Sequence, residues 1–226
     1  MSTDAHSHEH DHHEHGHGHD HDQGLKGMVR YLRHAPRMWQ SEVNSAVVAR
    51  VAPKPGETVM DIGAGIGAGT MVAAATGCTV IAVEPTSYMR RVLGLRRLLA
   101  KAQDRVQIVD GTAESTTVAA GSIDAAWAVN TMHHWTSLED GIAELARTLA
   151  PGGRVLLVDE DFDDPTHPDF ESFGEKRHEE RKHHFHTVDP DVVAQAMRAA
   201  GLTVTFAGRD QIAQSPSIVL EGTQAP

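Results

Sequence analysis

The chain has 226 residues, 40% of them hydrophobic and only 4% aromatic, with a formal net charge of −11 at pH 7. That length suits one α/β domain with appendages and is enough to bury a sizeable core. No apolar run approaches the ~18 residues of a membrane-crossing helix, and a single cysteine, Cys78, excludes an internal disulfide framework or a thiolate metal cluster. The charge is uneven. Residues 1–23 hold six acids and no Lys or Arg, leaving 25 acids against 20 bases for the rest, so the mildly acidic body gives no electrostatic case for nucleic acid.

In chain order, residues 1–23 form a low-complexity segment with nine of the 17 histidines: His6, His8, His10, His12, His13, His15, His17, His19 and His21. With almost nothing to bury, it is expected to be a disordered tail. Its acidic, His-rich start is not the basic-then-apolar pattern of a secretory signal, and one cysteine suits a reducing, cytoplasmic setting. Two helical patterns follow, 25–34 and 36–51, with Pro36 placed to start the second. After the linker APKPGE, apolar runs predict strands at 58–61, 79–84, 106–110, 123–130 and 154–159. Helical patterns fall at about 67–75, 87–100 and 137–149. Alternating βα units with short loops imply a parallel sheet covered on both faces. Cys78 heads the second strand and reads as a buried structural thiol. Asp124 reads as a structural acid at a strand start. The cations of the 87–100 pattern and its end (Arg90, Arg91, Arg96, Arg97, Lys101) read as a solvated face.

Beyond Asp159 the rhythm gives way to a polar insert at about 160–187, rich in acids and histidines. Asp189 and Pro190 then form an N-cap and N1 pair opening a helix to Ala200, with Gly201 as its stop. The last two strands, 202–207 and 217–221, are too close for a crossover helix and predict an antiparallel hairpin. The expectation is an α/β, doubly wound, seven-stranded sheet: five parallel strands and a terminal hairpin. The domain boundaries expected are a tail at 1–23, lid helices at 24–56 and a cofactor-binding domain at 57–226.

The most informative segment is VMDIGAGIGAGT, residues 59–70. A strand runs into a glycine-rich turn and then into a helix, so that a ligand can lie against bare backbone. Seventeen residues past Gly67 the next strand ends in Glu84, placed to accept both hydroxyl protons of a ribose. Gly63, Gly65 and Ala68 also satisfy the dinucleotide pattern GxGxxG/A, so NAD has to be weighed. Three features favour another nucleoside cofactor. Asp61 stands two residues before the first glycine, where a carboxylate suits a cation and repels a pyrophosphate. The glycines continue as G-x-G-x-G. The chain closes with a hairpin where a nicotinamide enzyme needs a second βαβ half or a substrate domain.

The ordered motifs resemble class I S-adenosylmethionine-dependent methyltransferases of the small-molecule subgroup, whose core reads like ubiquinone and trans-aconitate methyltransferases. The match runs from about residue 51 to the C-terminus and implies a Rossmann-like methyltransferase fold. DIGAGIG resembles the nucleotide loop and implies that Asp61, Gly63, Ala64, Gly65 and Gly67 surround the methionine part of S-adenosyl-L-methionine. IAVEPTSYM implies Glu84 on the ribose, Pro85 beside it, and Met89 packed near the adenine. DGTAES resembles the GDAE segment beside the adenine (Thr112, Ala113, Glu114), with Thr112 where the family carries aspartate. IDAAWAVNTMHHW implies Asn130 near the cofactor and His133, His134 and Trp135 at the pocket mouth. LAPGGRVLLVDED resembles the turn into strand five.

Methyl transfer from a sulfonium needs positioning, exclusion of water and, for some acceptors, removal of a proton. His133 and His134, at the ligand-binding end of strand four, are candidate bases. Tyr31, His34 and Trp39 on the lid helices are candidates to line a small-molecule pocket, with Trp135, His183 and His186. His183, His184 and His186, with acids nearby, also suit a divalent metal such as zinc or nickel, and the tail histidines would bind such ions loosely. A metal-binding or regulatory protein on a methyltransferase scaffold is therefore the alternative to a methyltransferase. A homodimer stays open, and neither nucleic acid nor a membrane is expected as a partner.

Overall fold

The computed structural model describes residues 39–167, 170 and 188–226. The first predicted helix, 25–34, the start of the second, the tail and most of the insert lie outside the described residues.

Helix α1 (Glu42–Val51) starts at Ser41, whose Oγ accepts the Asn44 N–H at 3.1 Å. The chain then runs β1 (Thr58–Ile62), α2 (Ala68–Ala74), β2 (Thr79–Val83), α3 (Ser87–Leu99), β3 (Val106–Val109) and β4 (Ile123–Val129). A 3₁₀ turn at Met132–His134 leads to α4 (Leu138–Thr148), β5 (Leu149–Glu160), α5 (Pro190–Ala199), β6 (Thr203–Ile212) and β7 (Ser215–Thr223). One seven-stranded sheet has the order β3-β2-β1-β4-β5-β7-β6; β7 pairs antiparallel with both β5 and β6, and the other pairs are parallel. The strand order reverses between β1 and β4, where ligands bind open α/β sheets.

Alternating side chains put a core on each face. In β4, Ala125, Trp127 and Val129 pack with α1 and α2 through Val47, Val48, Val51, Ala73 and Ala74. Ala126 and Ala128 pack with α4 and α5 through Ile142, Leu145, Val193, Ala194 and Met197. Cys78 is fully buried, its thiol donating to the Ala73 carbonyl at 3.1 Å, and burial raises its pKa. Asp124 accepts the Thr58 N–H at 2.8 Å and ties the starts of β1 and β4 together. Arg154 on β5 fastens α1 to the sheet, donating to the Val51 and Ala52 carbonyls and pairing with Glu57.

The hairpin is longer than its sequence predicts. β6 and β7 meet across Ala213 and Gln214, both at positive φ (49° and 66°), a two-residue turn without the Asn-Gly or Gly that signals one. β5 likewise begins at Leu149 rather than 154, with Gly152 and Gly153 bonded to the C-terminal segment through Ala225 and Gln224. Among the described residues no helix is long and apolar enough to cross a membrane.

Candidate active site

The loop between β1 and α2 lies at the strand-order reversal. Gly63 has φ +68°, and an added Cβ would sit 2.4 Å from Thr131 Cγ2, in the segment after β4. Gly67, the N-cap of α2, has φ +82°, and its Cβ would meet Leu93 Cδ1 of α3 at 2.1 Å. The glycines therefore let three segments converge. The loop amides are turned inward: Gly63 and Ala64 N–H donate to the Val83 carbonyl at 2.9 and 3.0 Å, Gly67 N–H to the Ala64 carbonyl at 2.8 Å, and Gly65 N–H to Glu84 Oε2 at 2.8 Å. These four amides are therefore taken up inside the protein rather than offered to an anion. At these four positions the bare-amide cradle expected from the glycine spacing is replaced by amides bonded within the protein.

Glu84, at the tip of β2, is 4% exposed and takes the Gly65 N–H on one oxygen and the Thr86 N–H, at 2.8 Å, on the other. Each oxygen keeps a second lone pair for a ribose hydroxyl. Arg90 steadies the segment by donating to the Glu84 and Pro85 carbonyls. Asp61 is buried under the loop, with its Oδ2 accepting the Thr70 hydroxyl at 2.6 Å. Burial pushes its carboxyl up to about 7 and the Glu84 charge adds to this, while Thr70 and the Trp127 indole pull it down. The Trp127 Nε1 belongs to this cluster, although it makes no hydrogen bond of ordinary geometry. An added Cβ on Gly69 would lie 3.0 Å from both Trp127 Nε1 and Asn44 Oδ1, so α1 reaches the same spot. Asp61 thus engages protein groups beneath the loop.

Around this pair, Pro85 is exposed and Met89 half-buried in the first turn of α3. Thr112 is exposed and exchanges backbone hydrogen bonds with Ser115, while Ala113 is buried. Glu114 is committed to α4: its Oε1 accepts the Thr136 and Ser137 N–H groups at 2.6 and 3.3 Å. Asn130 takes φ +53° as β4 ends, a conformation asparagine tolerates, and donates its N–H to the Val158 carbonyl.

His133 follows in the 3₁₀ turn. Its Nδ1 lies 2.6 Å from Asp159 Oδ1 and its backbone N–H donates to Asp159 Oδ2 at 3.2 Å; both residues are buried. Asp159 has no role in the sequence reading, although its position was available, at the C-terminal end of the strand next to β4. His134 is exposed, its ring centroid 4.0 Å from that of His133. Trp135 does not stand at the pocket mouth: it is buried, its ring fills the space left by Gly141, and its indole donates to Thr131 Oγ1 at 3.3 Å.

Trp39 is 39% exposed, with its ring 4.2 Å from the Arg96 guanidinium and its carbonyl accepting from Arg96 Nη2 at 3.0 Å. Arg96 is 8% exposed and not part of a solvated face; Nη1 donates to the Ile66 carbonyl of the glycine loop at 2.9 Å, and burial lowers its pKa. Tyr31, His34, His183, His184, His186 and the tail histidines lie outside the described residues. Among the described residues no group of three His, Cys, Asp or Glu side chains is arranged to hold a metal ion.

A glycine loop at the strand-order reversal, an acid at the tip of β2 and a closing antiparallel hairpin define a Rossmann-like nucleoside-cofactor enzyme fold. Comparison with known proteins narrows the class. A family profile described as a methyltransferase domain matches residues 60–157. A demethylmenaquinone methyltransferase of Clavibacter sepedonicus is 33% identical over 114 residues, 50% of this chain and 45% of that protein, so the chain spans less than half of that relative's length. An uncharacterised methyltransferase of Geobacillus sp. (strain WCH70) is 28% identical over 172 residues, 71% of this chain and 76% of that protein. In fold, the chain is similar to geranyl diphosphate methyltransferase solved with S-adenosylmethionine, at a TM-score of 0.65 and 15% identity over 89% of this chain and 92% of that one. Residues 60–157 are thus similar to methyltransferase domains, and the fold is one that S-adenosylmethionine-dependent methyltransferases share.

Proposed function

We propose that the chain transfers a methyl group from S-adenosylmethionine to a small-molecule acceptor. The observation that carries this reading is the bond between the glycine loop and the β2 acid: Gly65 N–H on Glu84 Oε2 at 2.8 Å, at the strand-order reversal. The residues fit the cofactor. Glu84 keeps lone pairs for two ribose hydroxyls, four of the loop amides are satisfied within the protein, and the Glu84 carboxylate gives the site a sign that suits a cation. When bound, the cofactor supplies a methyl group already activated on a sulfonium. The chain has to hold the acceptor in line and keep water out. His133 is the residue best placed to take a proton from the acceptor, at the ligand-binding end of β4. The small-molecule class is supported by the demethylmenaquinone methyltransferase and the geranyl diphosphate methyltransferase, both named for small-molecule substrates.

Calorimetry with S-adenosylmethionine, S-adenosylhomocysteine and NAD tests the reading. Binding of both adenosyl ligands and not of NAD is the expected result. No heat with either adenosyl ligand overturns it.

A further inference from the structure

Residues 86–111, which carry α3 and β3, hold six bases and two acids, against 25 acids and 20 bases for residues 24–226 as a whole. Arg90, Gly94 and Arg97 share one face of α3 at i, i+4 and i+7. With Arg91, Ile108 and Asp110 they line an open groove beside β3. Its middle is low because Gly94 has no side chain: outside its own helix, an added Cβ there would find only the tip of Ile108, at 3.9 Å. Asp110 answers Arg90, which also holds the Glu84 and Pro85 carbonyls. Among the described residues Arg91 and Arg97 pair with no carboxylate. Arg91 is exposed, and Arg97 donates Nη1 to the Val106 carbonyl at 3.0 Å while its enclosed Nε meets no acceptor. Surplus positive charge in a groove calls for an anionic occupant.

The chain carries such an occupant itself. Residues 1–23 hold Asp4, Glu9, Asp11, Glu14, Asp20 and Asp22 and no Lys or Arg. The described residues begin at Trp39, whose carbonyl and ring both meet Arg96, five residues along α3 from Arg91. Five helical residues are about 7.5 Å of axis. Asp22 stands 17 residues before Trp39, enough chain to span up to roughly 56 Å. Covalent tethering gives the acids a local concentration on the order of millimolar at the groove, which a separate acidic partner lacks. We propose that the groove between α3 and β3 is the docking surface for the acidic, His-rich segment of the same chain, residues 4–22. Its carboxylates meet Arg91 and Arg97 from the solvent side, while Arg90 stays with Asp110. The segment brings no apolar side chain larger than Ala5, so the attraction is electrostatic and weakens with salt. This docking stands or falls independently of the methyl-transfer reading.

The test uses the full chain with a nitroxide on Ser7→Cys, the native Cys78 being fully buried, and reads paramagnetic broadening of backbone amide signals. The amides of Arg91, Gly94 and Arg97 are expected to lose intensity while those of β6, at the opposite edge of the sheet, keep theirs. The loss is expected to vanish in Arg91→Glu, which alters an exposed side chain, and when the six acids of residues 1–23 are changed to their amides. It is also expected to vanish at about 0.5 M NaCl, where the Debye length shrinks to roughly 4 Å. Broadening of α3 no greater than that of β6 overturns the proposal, and so does a pattern that survives both sets of substitutions. Broadening confined to residues 24–38, whose Lys26, Arg30, Arg33 and Arg37 compete for the same acids, overturns it as well. A mixture of isotope-labelled chain with unlabelled, spin-labelled chain separates the remaining occupant. Broadening between chains would mean that a second copy's segment fills the groove, and docking within one chain would fall.

Discussion

Thr70 in α2 donates its hydroxyl to Asp61 Oδ2 at 2.6 Å, locking the helix that follows the glycine loop to the strand that precedes it. The carboxyl is buried enough that its pKa rises from 3.8 to about 7. The folded protein therefore holds a proton at Asp61 that the unfolded chain has already released. The associated stability is full below about pH 4 and is lost as pH rises through about 7. Above that it is flat. Asp61→Asn removes the titration while keeping an acceptor for Thr70. In urea unfolding between pH 4.5 and 8, the wild type is expected to lose stability relative to the variant by a few kcal/mol, since one pKa unit is about 1.4 kcal/mol. Parallel curves would show that Asp61 ionises normally in the folded protein.

Gly63 tests the convergence of loops at the site. Gly63→Ala forces alanine to φ +68° and drives its Cβ to 2.4 Å from Thr131 Cγ2. The backbone term is about 1–2 kcal/mol and the overpacking about 1–3 kcal/mol. Thr131→Ser removes the clashing methyl and retains the hydroxyl that the Trp135 indole donates to. The double variant is expected to recover the packing part and not the backbone part, so a thermodynamic cycle should show coupling of about 1 kcal/mol or more. Additive losses would mean that the β4 segment moves aside freely.

These loops also mark how far sequence reading reaches. The glycines, Asp61 and Glu84 are legible because one strand, one turn and the next strand carry them in a fixed local order. Asp159 is not, because its partnership with His133 depends on β5 lying beside β4, and an acid in a run of acids gives no sign of which one turns inward. Arg96 reads as one of five surface cations; only the fold brings it under Trp39 and onto the Ile66 carbonyl. The β6–β7 turn escapes notice because Ala213 and Gln214 take positive φ without the residues that usually do so. The inward-turned loop amides are invisible for a similar reason. Glycine spacing predicts that a backbone can approach a ligand, and says nothing of which carbonyls its N–H groups have already met.

Glu84→Gln tests the proposed ribose contact. The amide can still accept one of the two N–H groups, Gly65 or Thr86, but opposes the other with its own donor. A lost hydrogen bond to a charged group is worth about 1.5–3 kcal/mol, so affinity for S-adenosylmethionine should fall about 10- to 100-fold by calorimetry. An adenosyl affinity equal to that of the wild type would remove Glu84 from the ribose.

Arg96 links Trp39 to the glycine loop. Among the described residues it is buried without a carboxylate partner, its charge met by the Trp39 ring and by two carbonyls, Ile66 and Trp39. Lysine keeps the charge and loses the planar fork that serves both carbonyls while stacking on the indole. Arg96→Lys should therefore cost about 1–3 kcal/mol in urea unfolding, from a charged hydrogen bond and the cation–π contact. Trp39→Leu removes only the ring contact and should cost about 0.5–1 kcal/mol, with the combined variant less than additive. Because Nη1 holds Ile66, Arg96→Lys should also weaken S-adenosylmethionine binding, whereas Trp39→Leu should leave it nearly unchanged. Equal effects of the two on affinity would mean that the indole, rather than the Ile66 carbonyl, carries the coupling from the N-terminal segment to the site.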